Sequence, residues 1–194
     1  MSSAPRSLPF IAYLSPLVGV ALGYGATELQ REFAPVGLFP VLVGIATGLA
    51  IVACLRLSGH TSARAHGLAA LAAGAVCVGS MHYVSYKAAQ ASAEVDFENF
   101  QRMTQVLPQA DLKQPPQTFS SFRQFVDRRM LEGRPLAGRL VRGAWLGVWW
   151  GVDAALVLVA AAATALFLSV PPSPITSQET FVPQDPKVPQ EPVA

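Results

Sequence analysis

The sequence predicts an all-α integral membrane protein with four transmembrane helices. Three observations predict it. Hydrophobic residues make up 52% of the 194-residue chain and charged residues only 13%, against about 25% charged in an ordinary soluble domain. The charges gather between long uncharged stretches. Four of those stretches reach the roughly 20 apolar residues that a helix needs to cross a core of about 30 Å. In lipid every backbone N–H and C=O must be bonded within the spanning structure, so the four stretches are expected as helices.

The spans are expected at about 9–27, 36–57, 65–86 and 143–170, and together they make one transmembrane domain over 1–170. Each is bounded by charge. Arg6 precedes the first, and Glu28, Arg31 and Glu32 follow it. Arg56 and Arg64 flank the short second loop, Lys87 closes the third span, and Arg139 and Arg142 precede the fourth. The first span has a competing reading as a cleaved signal peptide. Its charged leader is Arg6 alone, Pro9 and Pro16 interrupt the apolar run, and Gly23-Tyr24-Gly25 is only a fair cleavage site.

Basic residues mark the cytoplasmic side of a membrane protein. Arg6, Arg56, Arg64 and Lys187 fall on one side, and the other ten of the 14 Lys and Arg fall on the opposite side with the long third loop. The expected orientation has that loop inside and both termini outside, in a bacterial inner membrane. Arg56 and Arg64, tight against a short loop, pull the other way.

The spans are rich in small residues. Gly19 and Gly23 make a GxxxG step in the first, Gly44 and Gly48 another in the second, and the third is small on nearly every face from Gly67 to Ser80. Helices in lipid associate through close backbone contact, which small residues permit. The expectation is that these faces close a four-helix bundle within one chain. The sharper alternative is that one face docks a second copy or another membrane protein. Cys54 and Cys77 lie inside apolar stretches with no metal-ligand or CxxC spacing, and are expected as small buried hydrophobes.

One carboxylate stands inside a span. Asp153 follows Trp149-Trp150-Gly151-Val152, and a charge at such a position is expensive and normally faces protein or water. Counted from Arg142 it lies roughly 16 Å into the helix at about 1.5 Å per residue. If Trp149 and Trp150 form an interfacial belt, it lies just below the headgroups. The fourth span is longer than a crossing needs, so the belt placement is the comfortable one. The third span ends in Met81-His82-Tyr83-Val84-Ser85-Tyr86-Lys87, in the same leaflet. His82 and Asp153 are therefore the candidate intramembrane polar pair, with Tyr83 or Tyr86 as hydroxyl donors. His60 and His66 belong to the short second loop, where two histidines without a third ligand make no metal site; they are expected at the surface.

The third loop, 88–140, is soluble in character. Glu94 to Phe100 can continue the third helix, and Pro108 and Pro115-Pro116 break it. A short amphipathic helix is expected after Thr118, capped by Ser120 or Ser121 and stopped by Gly133 and Pro135. Its residues Phe122, Arg123, Phe125, Val126, Arg128 and Arg129 fit a helix lying in the membrane interface, with phenylalanines in lipid and arginines at anionic headgroups. They fit equally a helix packed over the mouth of the bundle. The last 24 residues, 171–194, hold seven prolines, four of them at every third position from Pro183 to Pro192. That spacing lines one edge of polyproline II, so the tail is expected to be extended and disordered, with no core of its own. Such an edge also suits docking into an aromatic-lined groove.

A net charge of +2 without a basic stripe argues against nucleic acid. No P-loop, GxGxxG or nucleophile-elbow pattern occurs, and no metal or cofactor set. The expected partner is the lipid bilayer, joined by a second copy or a membrane protein at the small-residue faces. The expected role is non-enzymatic, a structural or accessory subunit of a membrane assembly. The alternative is a small proton- or solute-handling protein that uses Asp153 and His82. That alternative requires a polar cavity reaching both residues.

Overall fold

A computed structural model describes residues 8–32, 37–59, 62–106, 118–136 and 139–169. The proline-rich tail, the breaks at Pro108 and Pro115-Pro116, His60 and Lys113 lie outside the described residues. The elements are α1 (Leu8–Glu32), α2 (Leu38–Leu57), α3 (Ala63–Val106), α4 (Phe122–Glu132), β1 (Arg134–Leu136), β2 (Arg139–Val141) and α5 (Ala144–Ser169). α2, α3 and α5 are each long and apolar enough to cross a membrane. α1 is a 25-residue helix with Pro16 inside it. α3 is 44 residues long, because the stretch after Lys87 does continue the third helix, through Phe100 to Val106.

The two GxxxG steps decide how the helices meet. A Cβ on Gly19 would lie 2.5 Å from the Ala73 carbonyl oxygen, and one on Gly23 would lie 2.6 Å from that of Cys77. On the other side of the bundle, a Cβ on Gly44 would lie 2.5 Å from the Val157 carbonyl and one on Gly48 2.6 Å from that of Ala161. In both cases residues four apart on one helix meet residues four apart on the other, in the same direction. α1 therefore runs parallel to α3 and α2 parallel to α5. Each glycine Cα–H faces a carbonyl across the gap, the geometry of the weak C–H···O contact that recurs where helices pack closely. The two parallel pairs join back to back. Gly74 of α3 meets Leu158 and Ala161 of α5, and Gly67 meets Leu166, which makes α3 and α5 antiparallel.

The core between the pairs is built from small and branched side chains. Ile51, Leu55, Ala70, Ala73, Ala161 and Ala165 are fully buried. A second cluster of Ala26, Phe39, Val43, Cys77 and Val157 lies toward the other end. Two buried hydroxyls bond within their own helices: Thr47 donates to the Val43 carbonyl at 2.8 Å, and Thr27 to that of Gly23 at 2.9 Å. Neither hydroxyl is therefore an orphaned donor.

Three local features depart from the sequence expectation. His66, expected at the surface, is 1% exposed. α3 begins at Ala63, earlier than expected, which lifts His66 into the bundle, where its Nδ1 lies 2.5 Å from the Ser169 hydroxyl of α5. Arg56 closes the same end by donating to the Leu168 carbonyl. The third loop also holds a hairpin that the hydrophobic pattern does not announce: β1 pairs antiparallel with β2, Arg134 opposite Val141. Gly133 makes it possible. It ends α4 with φ +75, and a Cβ there would lie 2.6 Å from the Val141 carbonyl. Only glycine takes that backbone and that proximity together. The Gly143 amide then donates to the Met130 carbonyl at 2.8 Å, tying the end of the hairpin to α4 where α5 begins.

Gly48→Ala and Gly23→Ala each force two backbones apart and should cost about 1–3 kcal/mol. Gly25→Ala and Gly151→Ala, where a Cβ meets nothing within 4 Å, should leave stability unchanged or slightly raised. Thermal unfolding of the four variants in detergent checks the contrast.

Candidate functional site

Beyond the glycine contacts the same registers continue toward the third-loop end of the bundle and bring polar groups together. The α2–α5 register that pairs Gly44 with Val157 sets Pro40, one turn earlier, against Asp153. The α1–α3 register that pairs Gly23 with Cys77 carries Gln30 toward Ser85. Across the antiparallel α3–α5 seam the His82 ring packs against Trp150, centroids 5.5 Å apart. Phe39, Met81 and Trp150 are too large to let the helices close here as they do at the glycines. The result is a cavity of about 80 Å³, lined by Gln30, His82, Ser85, Arg134, Trp150 and Asp153 among apolar neighbours.

The expected pair is thus brought to one cavity. Asp153 lies within electrostatic reach of Arg134 and of His82. Its Oδ1 is buried and has no hydrogen-bond partner among the described residues. A carboxylate oxygen in that state is costly unless a proton or a polar solute meets it. Trp145 and Trp149 are 71% and 37% exposed and face outward from α5. Trp150, expected beside Trp149 in an interfacial belt, instead turns inward onto His82.

Above the cavity lies a wider vestibule of about 530 Å³, which shares Gln30, His82, Ser85, Arg134 and Trp150 with it. Its outer wall is α4. Ser121 caps this helix by accepting from the Gln124 amide, and Gly133 ends it. Phe125, 5% exposed, packs on Tyr86 of α3 with centroids 5.6 Å apart, and Phe119 and Phe122 ring it at 5.8 and 6.0 Å. Edge-to-face contacts of this kind hold a helix firmly. α4 is therefore laid over the mouth of the bundle through Phe125, while Phe122 stays 44% exposed. Arg123 and Arg128 point away from the vestibule lining and face Asp127 and Glu132 at 3.9 and 2.6 Å, pairs on an open helix surface that contribute little. Arg129 lies over the Phe125 ring, 5.5 Å from its centroid, and lines the vestibule. Val126 is half-buried and lines neither space.

Of the residues singled out from sequence, His82, Asp153, Phe125 and Arg129 reach this site. Phe122, Arg123, Val126 and Arg128 do not. Sequence reasoning missed Arg134 and Gln30. Arg134 enters only because the hairpin folds it back, and no spacing in the third loop signals that. Gln30 carried a weak signal, an uncharged polar residue at the end of an apolar helix. Among the described residues no three His, Cys, Asp or Glu side chains converge as a metal site would require.

No protein-family model matches the chain, and no curated protein or solved structure is significantly similar to it. What the site can do follows from its own geometry.

His82→Gln and Asp153→Asn should couple, since the two side chains line one cavity and act on each other electrostatically. A double-mutant cycle on thermal stability should give an interaction energy of about 0.5–3 kcal/mol. Strict additivity would mean that the two side chains act independently.

Proposed function

We propose that this chain is a small multi-pass membrane protein that handles a proton or a small polar solute at Asp153 and His82. α1, α2, α3 and α5 are read as its four spans. α1 supports that reading through its outward face. Tyr13, Leu17, Val20 and Tyr24 follow the 3–4 spacing of one helix stripe and are 75%, 68%, 52% and 59% exposed, on a different face from the glycines that meet α3. Such a stripe belongs against lipid. The same packing supports α1 as a retained helix rather than a cleaved leader, since Gly19 and Gly23 fit against the α3 backbone.

The observation that carries the functional reading is the polar cavity lined by both residues, together with the buried, unpaired Oδ1 of Asp153. An ionisable residue within a span that faces such a space is a natural proton or solute contact. Asp153 can accept a proton as a carboxylate and release it as the acid. His82 and Arg134 are the basic groups beside it, and the vestibule leads out on the third-loop side. The ratio of basic residues supports that side as cytoplasmic, in a bacterial inner membrane, with both termini on the opposite face.

A second reading, an accessory subunit of a membrane assembly, draws support from the distal half of α3. Val95, Met103 and Val106 there are 56%, 58% and 76% exposed. The glycine faces expected to dock a partner are occupied within the chain, so an assembly would use this extension instead.

Flux separates the readings. Protein reconstituted in vesicles loaded with a pH-sensitive dye should dissipate an imposed pH gradient faster than protein-free vesicles. Asp153→Asn should return the rate to the protein-free value, and Asp153→Glu should keep part of it. Equal rates with wild type and with no protein would remove the proton reading.

A further inference from the structure

We propose that the vestibule is a binding site for a small anion, a phosphate or carboxylate group, held by Arg134 and Arg129. This inference rests on the reading of the cavity as a solute-handling site and names the class of solute. Every charged residue in the vestibule lining is basic or can become so: Arg129, Arg134 and His82. No carboxylate lines it, and neither arginine forms an ion pair among the described residues. The neighbouring acidic residues of α4 are turned to other arginines, Asp127 to Arg123 and Glu132 to Arg128. Two guanidinium groups facing one space repel each other, and an anion between them relieves that repulsion. Guanidinium forks also match the oxygen spacing of phosphate and carboxylate, which they bind through paired hydrogen bonds.

Both arginines are positioned by neighbouring structure, Arg134 half-buried and Arg129 on the exposed side of the wall. Arg134 is fixed by the hairpin that starts at Gly133, a position closed to other residues. Arg129 is steadied over the Phe125 ring, itself packed on Tyr86. Ser85 and Ser92 add hydroxyls to the wall and Gln30 a side-chain amide, all able to donate to anion oxygens. At about 530 Å³ the space suits a small solute or a single headgroup.

Arg134 also lines the inner cavity, where Asp153 acts on it electrostatically. The groups facing Asp153 are His82 from α3 and Arg134 from β1. α1 and α2 present Gln30, Phe39 and Pro40, none of them charged. The ionised carboxylate and the anion therefore compete for one guanidinium. A proton on Asp153 releases Arg134 to the anion, which couples the two occupancies through a shared residue.

The anion can arrive from water or as the headgroup of an anionic lipid, and one experiment distinguishes them. Full-length protein is placed in phosphatidylcholine nanodiscs and titrated with radiolabelled inorganic phosphate. A parallel sample in discs doped with phosphatidylglycerol is examined by native mass spectrometry for retained lipid. Saturable phosphate binding that unlabelled succinate displaces and glycerol does not identifies a free anion. Retained phosphatidylglycerol that added phosphate displaces identifies a headgroup. In either case Arg134→Gln and Arg129→Gln should each weaken binding about tenfold or more, and Arg134→Lys should restore part of it. Asp153→Asn should tighten it about fivefold or more. If wild-type protein binds neither probe, or if glycerol competes as well as succinate, the proposal fails, whatever the folding of the variants. Proton flux without anion binding overturns this inference alone. Anion binding without Asp153-dependent flux overturns the proton reading and leaves the anion site in place.

Discussion

The spacing of this bundle depends on four places where one helix backbone lies directly on another. Gly19, Gly23, Gly44 and Gly48 each put a Cα against a carbonyl that no side chain could approach. In lipid there is no hydrophobic gain from bringing two apolar helices together, so contact of this kind carries the association. The four contacts also fix register. Once Gly44 meets Val157, the residue facing Pro40 is decided, and it is Asp153. The position of the buried carboxylate is therefore a consequence of glycines one and two turns away.

The same contrast in side-chain size that closes the middle of the bundle opens one end. Glycine and alanine bring the helices together from Gly44 to Ala165, while Phe39, Met81 and Trp150 prop them apart beside Asp153. At the opposite end His66, Ser169 and Arg56 form a polar closure against the α5 terminus. Among the described residues the short-loop end thus carries polar bonds between α2, α3 and α5, while the long-loop end is hollow, with α4 and the hairpin beside it. A space open on one side and polar at its base is the shape that binding and proton transfer require.

Much of this architecture was legible in the sequence. The span-length apolar stretches at α2, α3 and α5 follow from composition and charge placement, and the GxxxG steps announced the helix faces that meet. His82 and Asp153 could be paired because a long loop between two spans leaves their adjoining ends in one leaflet. Ser121 and Gly133 were readable as the limits of α4 from capping chemistry alone. What escaped was set by tertiary contact. The hairpin has strands of three residues, too short for any alternation to register, and its existence depends on Gly133 fitting under Val141. Arg134 looked like one more loop cation until that turn placed it. His66 stands at the very start of the third apolar stretch, where a loop and a helix turn look alike, and only its contact with Ser169 of α5 shows that it is buried. A belt of Trp149 and Trp150 together asks two adjacent helical residues, which point about 100° apart, to share a face, and Trp150 turns inward instead.

The central claim is that the third-loop end of the bundle holds a water-accessible cavity leading to Asp153 and closed toward the other face. Cysteine accessibility tests it most directly. With Cys54 and Cys77 replaced by alanine, Ser85→Cys places a thiol in the wall shared by cavity and vestibule. The account predicts modification by a membrane-impermeant thiol reagent added on the third-loop side, and none when the reagent is added on the opposite side. A thiol that resists reagent from both sides, or reacts equally from both, would contradict it.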